Sequence, residues 1–282
     1  MSASLPNLNF HPVAMDYKPL PGDTAEPVCV FHWLEGNDCW RCHTRIFNFP
    51  PLRCLTKFFH NGGGRIMGKL RVAAFSISLD GYAAGPRQDL ANPMGQGGMA
   101  LHSWVFKTHS FQDTHGQAGS GVGGVDNDFA TRAMDNLGAW ILGRNMFGPV
   151  RGPWPDDSWR GWWGENPPYH VPVYVLTHHP KPDLVMDGDN TFHFITGGIH
   201  EALRLARAAA GDKDVRVGGG AQTVREYLRA GLIDEMHLAV SPVLLGKGEA
   251  LLAGLDLPAL GYRVSAVQQG EGASHVLITR GP

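Results

Sequence analysis

Cysteine is confined to one end of this sequence. Cys29, Cys39, Cys42 and Cys54 are all there are, and none follows Met67. A disulfide framework is thereby excluded for most of the chain. Charge is also sparse, at 18% of residues, and nearly balanced: 24 Lys and Arg against 26 Asp and Glu give a formal net charge of -2. Nothing in that balance points to nucleic acid or to an acidic membrane surface. No apolar run is long enough to span a bilayer. The first residues lack the charged-then-apolar order of a secretory signal, so a cytoplasmic protein is expected. What the chain does have is Gly (37) and Pro (20), which suit many loops and special backbone geometries. Its 43% of hydrophobic residues are enough for one sizeable core, or for a domain plus a poorly structured arm.

The composition changes sharply near Met67. Residues 1–66 show little periodicity and scatter Pro6, Pro12, Pro19, Pro21, Pro27, Pro50 and Pro51 among aromatics. They run into Asn61-Gly62-Gly63-Gly64-Arg65-Ile66-Met67. Glycine codons begin with two guanines, so this stretch implies purine-rich message of the kind that precedes a bacterial start codon. The expectation is a domain over 67–282, with 1–66 either a mis-assigned extension ahead of a start at Met67 or a disordered arm. Cys39-Trp40-Arg41-Cys42-His43 matches C-x-x-C-H, the c-type haem attachment pattern. With His32, Cys54 and His60 it also suggests a zinc set. Haem attachment requires export, and the zinc set lacks a second closely spaced ligand pair. A chance match, with no metal, is expected.

From Leu70 the pattern becomes regular. Leu70–Leu79 reads as a buried strand, stopped by Asp80-Gly81. A glycine-rich stretch from about Ala84 to Val125 follows, long enough to cover a substrate. Asp126 or Asn127 can cap a helix whose apolar face is Ala130, Ala133, Met134 and Leu137, with Gly138 as its stop. Strands are expected at Ala139–Leu142, Val173–Thr177 and Phe192–Ile195, then a helix through Ile199, Ala202, Leu203 and Ala206 to Gly211. Val215–Val217 leads into a third helix ending at Gly231, and Glu235–Val240, Tyr262–Gln268 and Ser274–Thr279 read as strands. Strands alternating with helices, then strands alone, predict an α/β fold: a mostly parallel sheet with helices on both faces and an antiparallel C-terminal end.

The strongest chemical signal is Val215-Arg216-Val217-Gly218-Gly219-Gly220-Ala221-Gln222-Thr223, strand to glycines to helix. Glycines let backbone approach an oxygen-rich ligand, and a helix N-terminus offers free N–H groups and partial positive charge. Together they suit a pyrophosphate. A tight turn needing glycine only for its φ values is the alternative. A Rossmann fingerprint is disfavoured, because Thr223 stands where its last glycine belongs and the motif comes late in the chain. No G-K-[ST] closes the run, which excludes a P-loop. Gly143-Arg144 follows another strand, and a guanidinium fork matches phosphate oxygens. With Thr177-His178-His179 nearby, Arg144 is a candidate for the 2′-phosphate that separates NADPH from NADH; a solvated surface charge is the alternative.

In order and spacing these motifs resemble the dihydrofolate-reductase-like superfamily, especially the branch shared with the C-terminal reductase domain of bifunctional riboflavin-biosynthesis proteins. The matching pieces are Ser78–Tyr82, Ile141–Phe147, Val175–Thr177, Gly218–Gly220, Leu232–Leu238 and Pro242–Gly248. The resemblance covers roughly 68–281. It implies an eight-stranded sheet, NADPH as hydride donor and a homodimer. It places Gly143 and Arg144 by the adenosine 2′-phosphate, with Thr177 and His178 near them. Gly218, Gly219, Gly220, Ala221 and Gln222 would cradle the pyrophosphate, and Ala74 with the backbone at Leu79–Gly81 would line the nicotinamide.

Dihydrofolate reductases carry a carboxylate near the start of the first helix. Asp126 and Asp128 match it by position, and Asp80 is the other choice, beside the expected nicotinamide; the reading leans to Asp80. A partly buried Asp with a raised pKa would handle the proton that accompanies hydride transfer. Two departures stand out: the glycine-rich segment 85–125, and Trp154, Trp159, Trp162 and Trp163 crowding one loop, with Trp104 a candidate to join them. Aromatics suit a flat heterocycle, though a packed flap or dimer contact fits too. No zinc-deaminase signature precedes the reductase-like part, so the bifunctional arrangement is not expected. The implied function is an NADPH-dependent reductase of a small heterocyclic or ribosyl substrate. The candidates are a pyrimidine-linked ribose, as in riboflavin synthesis, or a pterin-like C=N bond; a non-catalytic NADP-binding protein is the alternative.

Overall fold

The computed structural model describes residues 68–117, 119–148 and 152–281, and two short strands nearer the N-terminus. The chain divides into two units, Met1–Gly64 and Arg65–Pro282. In the first, Val30–Trp33 pairs antiparallel with Trp40–His43, Val30 opposite His43 and Trp33 opposite Trp40. The expectations of a disordered arm, of a start at Met67 and of no metal at the C-x-x-C-H motif fall outside the described residues.

The second unit is built on a nine-stranded sheet. Its strands are β1 (Leu70–Ser78), β2 (Leu137–Gly143), β3 (Pro172–Leu176), β4 (Leu184–Val185), β5 (Thr191–Ile195), β6 (Asp214–Gly219), β7 (Glu235–Ser241), β8 (Tyr262–Gln269) and β9 (Ser274–Arg280). Their order across the sheet is β8-β9-β7-β1-β6-β2-β3-β5-β4. From β7 to β5 neighbours run parallel. β9 is antiparallel to β7, β8 to β9, and β4 to β5 at the far edge. The mostly parallel sheet with an antiparallel C-terminal end is thus as expected. A ninth strand, β4, joins the eight; at two residues it is too short to leave a period in the sequence.

A parallel sheet must be covered on both faces, and the strands read accordingly. On β2, Ala139 and Ile141 pack with Leu70, Val72, Val215 and Val217, while Trp140 and Leu142 turn to Phe147, Val173 and Val175 on the other side. Helix α5 (Gly198–Ala210) closes the first face with Ala202, Leu203, Ala206 and Ala210, spaced three and four apart. Helix α6 (Ala221–Arg229) adds Val224, Tyr227 and Leu228, and the Tyr227 hydroxyl donates to Ile199 O at 2.9 Å, tying the two helices together. Helix α3 (Val125–Arg132) lies opposite, its Ala130 packed with Trp104, Ala239 and Ala273.

Several local readings change. The first long helix ends at Arg132 rather than Leu137, because residues 133–136 turn, Asn136 with φ 53°, so that β2 can begin at Leu137. Gly138 is not a helix stop but the point where β2 passes under α5: a Cβ there would sit 2.7 Å from Ala210 Cα. Nor is Asp126 or Asn127 a cap. The cap residue is Gly124, and Asp126 lies buried in the first turn. The glycine-rich segment is partly helical, with a 3-10 turn at Gly98–His102 followed by α1 (Ser103–Phe106) and α2 (His109–Thr114). One further short helix, Arg144–Phe147, follows β2 directly. Among the described residues no helix is long and apolar enough to cross a membrane.

Candidate functional site

A cavity of about 880 Å³ opens at the carboxyl ends of the parallel strands. Open α/β sheets bind ligands there, because successive loops leave a crevice where strand order reverses. Gly143 and Arg144 after β2, Thr177 and His178 after β3, Thr196 and Gly198 after β5, and Gly220–Thr223 after β6 all line it. Ala74, from the middle of β1, lines it as well. Of the coenzyme positions expected from sequence, Ala74, Gly143, Arg144, Thr177, His178, Gly218, Gly220, Ala221 and Gln222 line this one cavity. Gly219 does not line it; its φ is 128°, and a Cβ on it would come 3.0 Å from the Phe75 ring.

Each glycine here has its own reason. A Cβ at Gly143 would run into the Thr223 hydroxyl, and one at Gly218 would meet Trp140 Nε1 at 2.5 Å. Those two serve packing. At Gly220 nothing lies within 4 Å, so the missing side chain leaves open space above the start of α6. That helix has no side-chain cap and no acidic residue in its first turn, so its leading N–H groups and their partial positive charge remain available.

Arg144 carries the positive charge among these expected positions. Its guanidinium carbon stands 3.0 Å from the Trp154 ring centroid, and Nη2 reaches only Gly152 O, at 3.4 Å. Nε and Nη1 are shielded from water yet have no hydrogen-bond partner among the described residues. Buried donors are rarely left unpaired, because each forgoes its water without replacement. Burial pulls the Arg144 pKa down to about 10, still far enough above neutrality to keep its charge. Unsatisfied donors on a cation, a bare helix N-terminus and an open glycine fit an anionic dinucleotide. Thr177 is less free: its hydroxyl is engaged with His179, accepting from N at 3.1 Å.

The other end of the cavity is built by the segments sequence reasoning set apart. His102, Phe106, Phe111, His115 and Trp163 form a ladder of rings along its wall. Phe111 stacks on His115 at 3.9 Å, and His115 leans on Trp163 at 5.2 Å. Burial holds the His102 ring below its usual pKa, hence neutral near pH 7. The tryptophans divide. Trp162 and Trp163 face the cavity, Trp154 underlies Arg144, and Trp159 donates to Phe147 O at 2.8 Å. Trp104 does not join them: it is buried beneath β1, its indole N–H donating to Ser76 Oγ at 2.9 Å.

None of the three nominated carboxylates lines the cavity. Asp80 is exposed and accepts from the amides of Leu245 and Gly246 at 3.1 and 2.7 Å. The Ser78 hydroxyl and these amides hold its pKa below the usual aspartate range, the reverse of a raised-pKa acid. Asp128 is exposed on α3. Asp126 is buried against His275, 2.8 Å from its Nε2. The acidic side chains on the cavity wall are instead Glu226 and Glu249. Sequence reasoning also missed Trp140, Arg216 and Ile195. Ile195 was legible as the last residue of a parallel strand. Arg216, mid-strand, gave no signal.

Comparison with known proteins bears on this geometry. The sequence profile of the family described as RibD C-terminal domain matches residues 71–273. An uncharacterized Bacillus subtilis protein, YyaP, is 31% identical over 91 residues, which is 31% of this chain and 48% of that protein. The match therefore spans about half the length of that relative. Among solved structures, a protein from Shewanella sp. PV-4 assigned to riboflavin biosynthesis is 21% identical, with 77% of this chain and 99% of that one covered and a TM-score of 0.47. A Thermotoga maritima diaminohydroxyphosphoribosylaminopyrimidine deaminase/5-amino-6-(5-phosphoribosylamino)uracil reductase is 16% identical over 76% of this chain and 57% of that one, with a TM-score of 0.45.

Proposed function

This chain belongs to the RibD C-terminal domain family, and on that footing we propose that it is an NADPH-dependent reductase of a small heterocyclic or ribosyl substrate. The observation that carries the coenzyme is Arg144, a cation with two buried nitrogens that have no partner among the described residues, lining the same cavity as the α6 N-terminus. When bound, NADPH supplies the hydride. The chain's own residues do the rest. Arg144 pairs with the 2′-phosphate, with Thr177 and His178 beside it. The backbone at Gly220, Ala221 and Gln222 receives the pyrophosphate, with Gly218 and Gly219 shaping the turn before it and Gly143 letting Thr223 close in from below. Ala74 borders the nicotinamide end. Calorimetric titration with NADPH and with NADH tests the assignment, and selective binding of NADPH is the outcome expected.

A pterin-like or other flat acceptor is favoured over a ribosyl one by the ring ladder from His102 to Trp163, since stacked aromatics bury planar surface well. None of Asp80, Asp126 and Asp128 lines the cavity, so none of the three is placed to deliver the proton that accompanies the hydride. We also infer a homodimer through the sheet edge. Among the described residues strand β8 pairs only with β9, and its Val264 and Val267 are 58% and 66% exposed. An open edge with apolar side chains invites a second copy.

A further inference from the structure

Behind the cavity wall runs a chain of hydrogen bonds that the proposed reductase function does not use. β1 and β7 lose register between Val72 and Phe75, and within that bulge Ala74 adopts φ 49°. A left-handed alanine costs energy and persists only where its surroundings impose it. Two buried side chains do so. Arg216 Nη2 donates to Ala73 O at 2.7 Å, and the Ala74 amide donates to His237 Nδ1 at 3.1 Å. His237 Nε2 stands 2.9 Å from His275 Nδ1, and His275 Nε2 is 2.8 Å from Asp126 Oδ1. The Gly272 amide donates to the other Asp126 oxygen at 2.8 Å.

The proton positions in this chain follow from its one fixed end. A main-chain amide can only donate, so His237 Nδ1 is bare and its proton sits on Nε2. That proton points at His275 Nδ1, so His275 also carries its proton on Nε2, directed at the Asp126 carboxylate. Every member is satisfied with both rings neutral. The enclosure suits neutral rings: Asp126, His237 and His275 are 5%, 4% and 0% exposed. Phe129 stacks on both imidazoles, at 4.4 and 4.2 Å, and Trp104 stands edge-on to them. Burial above all, then the neighbouring His275 and arginines, pushes the His237 pKa down to about 3. Because the chain ends on an amide that cannot accept a proton, it conducts nothing to the cavity. It holds something in place.

We propose that Asp126, His275 and His237, with Arg216, are positioning residues that lock the Ala73–Ala74 bulge in the cavity wall and so set the seat of the nicotinamide. This rests on the coenzyme reading given above. Removing the acceptor in His237→Phe keeps an aromatic ring between Phe129 and Trp104 but frees the amide. His275→Phe breaks the chain one residue further from the cavity, leaving the bulge untouched in composition.

The test titrates wild type and both variants with NADPH and with adenosine 2′,5′-bisphosphate, which lacks the nicotinamide. His237→Phe should weaken NADPH by about tenfold, the scale of one buried donor left unpaired, with the adenosine fragment unchanged. His275→Phe should move in the same direction by less, and His237→Gln, whose side-chain oxygen can still accept, should recover part of the loss. Equal weakening of both ligands, or unchanged NADPH affinity, would overturn the proposal. Wild type that binds the fragment and not NADPH would do so too. Wild type that binds neither removes the coenzyme reading itself and the proposal with it. Nitrogen-15 spectra of the histidines give an independent check: both rings should be neutral with the proton on Nε2 at pH 7, and an imidazolium at either position contradicts the assignment.

Discussion

Arg144 lies flat over Trp154, guanidinium carbon to ring centroid 3.0 Å, with two of its nitrogen donors unpartnered among the described residues. The indole fixes where the charge stands, and the Trp154 N–H is itself tied to His179 O at 2.9 Å. A cation so placed discriminates between coenzymes only if its free donors meet the 2′-phosphate. Arg144→Ala should therefore weaken NADPH by roughly 10- to 100-fold, the worth of hydrogen bonds between charged partners, while NADH changes by about twofold or less. Parallel titrations of both coenzymes read this, and an equal loss for the two would remove Arg144 from the phosphate site.

Gly220 separates binding from folding. A methyl group there meets no protein atom within 4 Å. Gly220→Ala should thus leave the thermal midpoint within a few degrees of wild type, yet place a Cβ where the pyrophosphate is expected to approach. A loss of NADPH affinity of about tenfold or more at unchanged stability is the predicted result. Gly218→Ala is the contrast, because its Cβ would strike Trp140 and Leu142. It should lower stability by about 1–3 kcal/mol, the usual cost of overpacking a filled interior. Urea melts of the two variants side by side make the comparison.

The buried histidine gives a pH dependence with a definite sign. His237 has a folded pKa of about 3 against an ordinary 6.5. The unfolded chain thus takes up this proton before the folded one does. Stability from this group is complete above pH 6.5 and is lost as pH falls from there toward 3, with a slope approaching about 1.4 kcal/mol per pH unit. His237→Phe should flatten that slope between pH 6.5 and 4.5 in chemical denaturation. An unchanged slope would mean that His237 is not held neutral.

Most of the fold was legible because parallel strands buried on both faces leave continuous apolar runs, as at Leu70–Ile77 and Ala139–Leu142. Glycine marked the turns that follow them. What could not be read was contact across the sheet. Gly138 looked like a helix stop because its partner Ala210 is 72 residues away in sequence. Asp126 looked like a cap for the same reason, since His275 arrives from the last strand. The cavity-lining residues at the ends of β2, β3 and β6 were readable because each lies in a local strand-to-loop motif. The contact of Trp163 with the ring ladder and the Ala74–His237 link depend on segments that meet only in three dimensions.

The edge strand supplies a prediction about assembly. Val264 and Val267 are exposed on β8, and replacing both with Lys adds charge where a second edge would pair. The double variant should run as a monomer in sedimentation while wild type runs as a dimer. Wild type that is monomeric at micromolar concentration would refute the edge-to-edge arrangement.

The central claim is that this cavity seats NADPH. Isothermal titration of the full chain with NADPH and NADH at moderate ionic strength addresses it with no knowledge of the substrate. One-to-one binding of NADPH with micromolar or tighter affinity, and at least tenfold weaker binding of NADH, is the expected result. Binding of neither nucleotide, or equal binding of both, would contradict it.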